Sequence, residues 1–146
     1  MEIFSIGFTQ TTAEHFFGRL THAGVRRVVD VRLNTSSQLA GFAKGRDLGY
    51  FLRVIGDIAY RHEPLLCPTE DILRDFKRDK SMTWEEYERR FLALMAQRRI
   101  EVNLERTEFA TPTALLCSEA TPENCHRRLA LEYLADHWPG LEIVHL

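Results

Sequence analysis

The apolar positions of this chain change period several times, and each change predicts an element. Ile3 to Phe8 is a short run rich in strand formers that ends at Gly7-Phe8-Thr9. From there the spacing turns helical: Ala13, Phe16, Phe17 and Leu20 fall at i, i+3, i+4 and i+7, the stripe of an amphipathic helix over about 12–23. Thr11 and Glu14 have the spacing of a capping box, and Gly24 stands where a left-handed C-terminal cap is usual. Val25 to Val31 reads as a second strand, nearly continuous in Val like a strand covered on both faces. The opening is thus a βαβ unit.

The pattern then loosens. Leu33 to Arg46, with Asn34, Ser36, Ser37, Gly41 and Gly45, shows little period and predicts a loop longer than the usual two to six residues or so, a place where function concentrates. Asp47 can cap a helix that sets Leu48, Phe51, Leu52 and Ile55 on one face, and Ile58-Ala59-Tyr60 reads as a third strand. Pro64 to Pro68 breaks the chain. Asp71 to Lys77 predicts a short helix and Thr83 to Arg98 a long one, capped by Thr83 with Glu86, with Trp84, Tyr87, Phe91, Leu94 and Met95 as its core stripe. Arg89, Arg90, Arg98 and Arg99 are balanced by Glu85, Glu86 and Glu88 and read as a solvated helix surface.

Residues 100–111 are mixed and charged, and read as a connection. Thr113 to Cys117 is a fourth strand, followed by a helix with Thr121 as cap and Pro122 at its first position, running to about His137. Pro139-Gly140 ends it, and Leu141 to Leu146 is the last strand. The alternation predicts one α/β domain over 1–146: a three-layer sandwich whose mainly parallel sheet of about five strands is flanked by helices.

Composition narrows the function classes. A chain of 146 residues can bury about two-thirds of its unfolded surface in one core, so a second folded domain is not expected. With 19 basic against 21 acidic residues it lacks the broad positive footprint of a nucleic-acid or anionic-membrane binder, and any such binding is confined to a site. No apolar run approaches the roughly 20 residues of a membrane span, and MEIFSIGF reads as a strand and not as a leader. Cys67, Cys117 and Cys125 are odd in number and lack disulfide spacing, which suits a reducing, cytoplasmic setting.

Ligands of open α/β sheets bind beyond the carboxyl ends of the strands. Three predicted exits are polar: Gly7-Phe8-Thr9, Asp30-Val31-Arg32 and Cys117-Ser118-Glu119. The start of the following helix adds Asn124, Cys125, His126 and Arg127, where free N–H groups favour anions and thiolates. Arg32 and Arg127 are candidate anion clamps, with Thr9, Gly7 and Asp30 completing a substrate-binding set. Asp30 and Glu119 can equally hold those arginines as ion pairs. Among catalytic candidates, Cys125 is the better nucleophile, because Cys117 closes a buried strand where cysteine is often a small hydrophobe. His126 and Glu119 are the acid–base candidates. The spacing Cys117-x7-Cys125-His126 differs from the close cysteine pair of common zinc sites, although a metal could draw a third ligand from His62 or Cys67; no metal ligand is assigned and the cofactor stays open.

The stretch from Leu116 to Arg127, LCSEATPENCHR, resembles the signature of the family catalogued as domain of unknown function 488. Ile6-Gly7-Phe8-Thr9, Asp30-Val31-Arg32 and Tyr60-Arg61-His62 follow that family's pattern in order and spacing. The resemblance implies an α/β fold with a shared polar site, and it names no reaction. Where the family usually has His and Ser after Ile-Gly, this chain has Phe8 and Thr9. The hydroxyl is kept; the imidazole's role is either lost, leaving an inactive relative, or given to His62 or His126, and the other alternative is that Phe8 forms an exposed apolar strip that shapes a different pocket. Asp-Val-Arg at a strand end also looks like a feature of rhodanese-type domains, but the compact loop from cysteine to arginine is missing.

The expected function is that of a small cytoplasmic enzyme binding an anionic ligand, a nucleotide or nucleic-acid-derived substrate, through this Arg/Cys/His/Glu cluster. The alternative is a non-catalytic binding or regulatory module in which the cluster is a structural network or metal clip. The sequence says nothing of oligomeric state.

Overall fold

In the computed structural model, which describes residues 1–36 and 40–146, five strands form one sheet in the order β3-β2-β4-β1-β5. They are β1 (Glu2–Gly7), β2 (Arg27–Asp30), β3 (Ala59–His62), β4 (Thr113–Cys117) and β5 (Glu142–His145). Every pairing is parallel. Central β4 is buried along its whole length, as its run of Ala, Leu, Leu and Cys requires, whereas β3 and β5 at the edges are partly exposed.

Side chains alternate across the sheet and separate two apolar layers. Phe4, Ile6, Val28, Ala114 and Leu116 face α1 (Ala13–His22) and α2 (Gly45–Gly56). Ile3, Val29, Leu115 and Cys117 face α3 (Glu70–Leu73), α4 (Trp84–Arg98), α5 (Ile100–Asn103) and α6 (His126–His137). The three-layer α/β sandwich is the one the alternation of elements predicts.

Local signals hold with informative shifts. Thr12, one residue after the expected Thr11, caps α1 by accepting a hydrogen bond from the His15 N–H at 3.1 Å. At the other end Gly24 has φ +72°, and the Val25 N–H returns to the Leu20 carbonyl. Thr83 caps α4 as expected, accepting from the Glu86 N–H at 3.2 Å. Asp47 lies inside the first turn of α2 instead of capping it, and Ile55 near its end is 52% exposed. Residues 74–78 continue α3 as a wider turn, and 100–110, expected to be irregular, hold α5 and a 3₁₀ turn at Arg106–Ala110. Arg98, expected on the solvated helix surface, is half-buried, and its guanidinium ties down the carbonyls of Pro64, Leu65 and Cys67. Ser37 of the predicted loop lies outside the described residues.

The largest departure is at α6, which begins at His126 and not near Thr121-Pro122. Cys125 is extended (φ −135°, ψ 134°), and its N–H closes a separate turn onto the Pro122 carbonyl, so 118–125 is a loop between β4 and α6. No described helix is long and apolar enough to cross a membrane.

Candidate functional site

The register brings the three polar exits together: Gly7 pairs with Cys117, and Asp30 with Leu116, at the carboxyl edge of β1, β4 and β2. After β2, Val31 still donates to the Leu116 carbonyl of β4, and the Asp30 side chain closes a local turn onto Arg32. The Asp30 carboxylate, fully buried, accepts hydrogen bonds from Arg32 Nε at 2.9 Å and Nη2 at 2.7 Å, from the Arg32 N–H at 3.1 Å, and from Tyr60 Oη at 2.6 Å. Arg32 Nη2 also reaches the Ala43 carbonyl at 2.7 Å, the guanidinium lies 4.8 Å from the centre of the Phe8 ring, and among the described residues Nη1 has no hydrogen-bond partner. Burial opposes the Arg32 charge, but the hydrogen bonds and charge of Asp30 outweigh it and raise its pKa. Burial and the bond to Asp30 hold the Tyr60 hydroxyl well above the usual phenol range. Phe8 is buried in the layer under α1 and α2, so it forms no exposed apolar strip.

On the β1 side, Gly7 and Thr9 carry the loop after β4. Thr9 donates to the Ser118 carbonyl from Oγ1 at 2.6 Å and from its N–H at 3.2 Å. A Cβ on Gly7 would stand 1.7 Å from the Glu119 carbonyl oxygen, so glycine is required by this close approach. Arg127, 1% exposed, donates to that same carbonyl at 2.7 Å, to Cys125 Sγ at 3.3 Å and to Ser5 Oγ at 3.3 Å.

Between these walls lies a cavity of about 190 Å³. Its floor is Cys117, Cys125 and His126, whose ligand atoms all lie within 4.8 Å of one another. Cys117 Sγ is 3.7 Å from His126 Nδ1, and His126 Nε2 donates to the Val31 carbonyl at 2.7 Å. The two sulfurs divide their protonation unequally. Hydrogen bonding with Cys125 lowers the Cys117 pKa, helped by the Ser118 N–H and the Arg127 charge, against burial. Its neighbour Cys125 is raised by that same bond and by burial. Cys125 is the N-cap of α6, while Cys117 takes the favourable hydrogen bonds. The cluster could hold a metal or other ligand, and its third member is His126, not His62 or Cys67. Those two lie elsewhere, 3.4 Å apart, where burial pushes the Cys67 thiol up to about 12.

Of the sequence candidates, Cys117, Cys125, His126, Glu119 and Arg32 line the cavity. Arg127, Asp30, Gly7 and Thr9 do not; they sit behind its walls. Glu119 forms an ion pair with Lys77 at the rim. Neither Arg32 nor Arg127 is held by Glu119's carboxylate; Arg127 takes its carbonyl instead. The sequence reading missed the opposite wall, formed by Phe76, Trp84 and Tyr87, with Lys77 and Asn34 beside it. Trp84 and Tyr87 stack at 5.1 Å with 16° between their planes. Their helical spacing marks them as inward-facing, which is as much as a one-dimensional pattern carries. The clustering of Phe76, Lys77, Trp84 and Tyr87 around a polar break was the available signal.

No curated protein and no solved structure matches the chain. A family model does, over residues 12–134, a span that takes in Asp30-Val31-Arg32, Tyr60-Arg61-His62 and the Cys117 to Arg127 segment, with Gly7 and Phe8 preceding it. By that match the chain belongs to the family described as domain of unknown function DUF488.

Proposed function

We propose that the cavity binds a planar, anionic, nucleotide-like molecule and that the protein is a small enzyme acting on it. One observation carries this reading: the aromatic wall of Trp84, Tyr87 and Phe76 faces the sulfur–imidazole floor of Cys117, Cys125 and His126 within a single chamber at the carboxyl edge of the sheet. At about 190 Å³ the chamber is smaller than the roughly 300–1,000 Å³ of drug-sized pockets, so it takes one ring-sized group and leaves the rest of the ligand at the rim. A base stacked on Trp84 would place its anionic tail near Lys77, with the Asn34 and Asn124 amides within the same lining.

In this reading Cys117, Cys125 and His126 form the reacting centre, and Glu119 serves as acid–base group at the rim. Arg32 contacts the ligand through Nη1, which has no partner among the described residues, while Asp30 holds it in place. Arg127, Gly7 and Thr9 position the loop 118–120. The test is calorimetric titration with nucleoside monophosphates, the matching nucleosides and inorganic phosphate. Monophosphates should bind best, and Trp84→Ala and Lys77→Ala should each weaken them about tenfold, the scale of one lost stacking or charged contact. No binding by any of the three, or binding indifferent to Trp84, would sink the proposal.

The burial of Arg127 among structural acceptors favours a second reading, a non-catalytic module whose cluster is a network holding the loop. It requires that a bound nucleotide be recovered chemically unchanged after prolonged incubation.

A further inference from the structure

We infer that Cys117, Cys125 and His126 form a site for a divalent transition metal of the zinc class, with the fourth coordination position open to the cavity. The inference rests on reading that cavity as the functional site, and four observations support it. The first is spacing. Bonds of about 2.3 Å to sulfur and 2.0–2.1 Å to nitrogen at the tetrahedral angle put a ligand sulfur and nitrogen about 3.6 Å apart. Cys117 Sγ and His126 Nδ1 are 3.7 Å apart, and all three ligand atoms lie within 4.8 Å of one another.

The second is the histidine's orientation. A carbonyl can only accept, so the bond from Nε2 to Val31 O fixes the proton on Nε2 and leaves the Nδ1 lone pair available to a metal; Cys117 Sγ lies 3.7 Å from Nδ1 and 3.8 Å from Nε2. Metal-bound histidines are held in this way by a backbone carbonyl on the far nitrogen. The third is charge. Arg127 is buried, and its bonded partners are the Glu119 carbonyl, Ser5 Oγ and Cys125 Sγ, none of them a carboxylate. A guanidinium donating to sulfur complements a thiolate ligand. The fourth is donor chemistry: two sulfurs and an imidazole select zinc and other soft or borderline ions over magnesium or calcium. Three protein ligands beside a cavity are the pattern of metal sites that keep a position for water or substrate.

The experiment uses the full chain, reduced and then freed of reductant. Elemental analysis after equilibrium dialysis against Zn²⁺ should find about one ion per chain. Co²⁺ in its place should give the intense visible bands of a tetrahedral site together with thiolate-to-metal charge transfer. Cys125→Ser and His126→Gln should each weaken Zn²⁺ binding by at least about tenfold. Because such variants can misfold, the deciding measurement is made on the wild-type chain: Zn²⁺ should slow alkylation of Cys117 and Cys125, read by peptide mass spectrometry, and a chelator should reverse this. A cobalt spectrum without thiolate charge transfer, alkylation of Cys117 and Cys125 indifferent to Zn²⁺, or a disulfide joining the two in protein handled without oxidant would overturn the inference. Nucleotide titration of zinc-loaded and chelated protein separates the two claims. Zinc without nucleotide binding leaves the metal site standing and removes the proposed substrate; nucleotide binding by a chain that takes no zinc does the opposite.

Discussion

Gly7 and Glu119 meet so closely that the Glu119 carbonyl occupies the space where any other residue at position 7 would carry its Cβ. Thr9 and Arg127 fasten the same loop from either side. Gly7→Ala must therefore displace backbone, not a flexible side-chain tip. We expect a loss of about 1–3 kcal/mol, the usual cost of overpacking, and a melting temperature lower by about 3–10 °C. Thermal unfolding followed by circular dichroism checks this. An unchanged melting temperature would mean that the loop 118–120 yields freely and is not held as described.

Asp30 is the hub of a buried network, holding Arg32 through both oxygens and Tyr60 through one. Asp30→Ala leaves the Arg32 charge buried and unpaired, which costs about 3–5 kcal/mol. Tyr60→Phe removes one bond to a charged acceptor and should cost about 1.5–3 kcal/mol. Urea denaturation of both variants measures these losses. If Asp30→Ala were as stable as the wild type, Arg32 would have to be free to serve a ligand alone.

Arg127 bridges α6, the loop and β1 through three separate acceptors. A lysine there keeps the charge but lacks the planar fork. Arg127→Lys should lose about 1–3 kcal/mol by leaving buried acceptors unmet. Ligand affinity should follow stability and not show a separate defect, because Arg127 stands behind the cavity wall. An affinity loss at full stability would instead restore it as a direct clamp.

Cys67 carries a pH dependence whose sign is definite. Its folded pKa is pushed up to about 12 by burial, whereas an unfolded thiol titrates near 8.5. The unfolded chain thus loses this proton first. The contribution to stability is complete below about 8.5 and declines as pH rises from there towards 12. Urea midpoints measured from neutral to alkaline pH should fall more steeply for the wild type than for Cys67→Ala. In native protein Cys67 should resist alkylation at pH values where a free thiol reacts fully. Equal slopes in the two proteins would show that the thiol is not held protonated.

Much of the fold is legible in local patterns. Thr113–Cys117 has the same bounds in the sequence reading and in the structure, because an apolar run between Pro112 and the polar Ser118-Glu119 leaves no other register. Thr83 caps its helix and Gly24 ends the first one, since capping depends on neighbours within a few residues. The shifts fall where local signals compete. Thr121-Pro122 looks like a helix start, but the turn onto the Pro122 carbonyl and the extended Cys125 delay α6 to His126.

The site divides along the same line. That Gly7, Asp30 and Cys117 end at one edge follows from the parallel direction implied by alternating strands and helices, whereas the strand order that sets them side by side comes from the tertiary structure. Which side chains then face the cavity does not follow from any period. Trp84 and Tyr87 read as core, and Arg127 reads as a clamp, because spacing along a helix reports a face and not what lies opposite it. Whether Cys117 or Cys125 is the more acidic, and whether His126 or His62 completes their cluster, depends on contacts between segments far apart in the chain. Hydrogen bonds and charges act over a few ångströms, and it is the packing of β1, β2, β4, α4 and α6 that sets those distances.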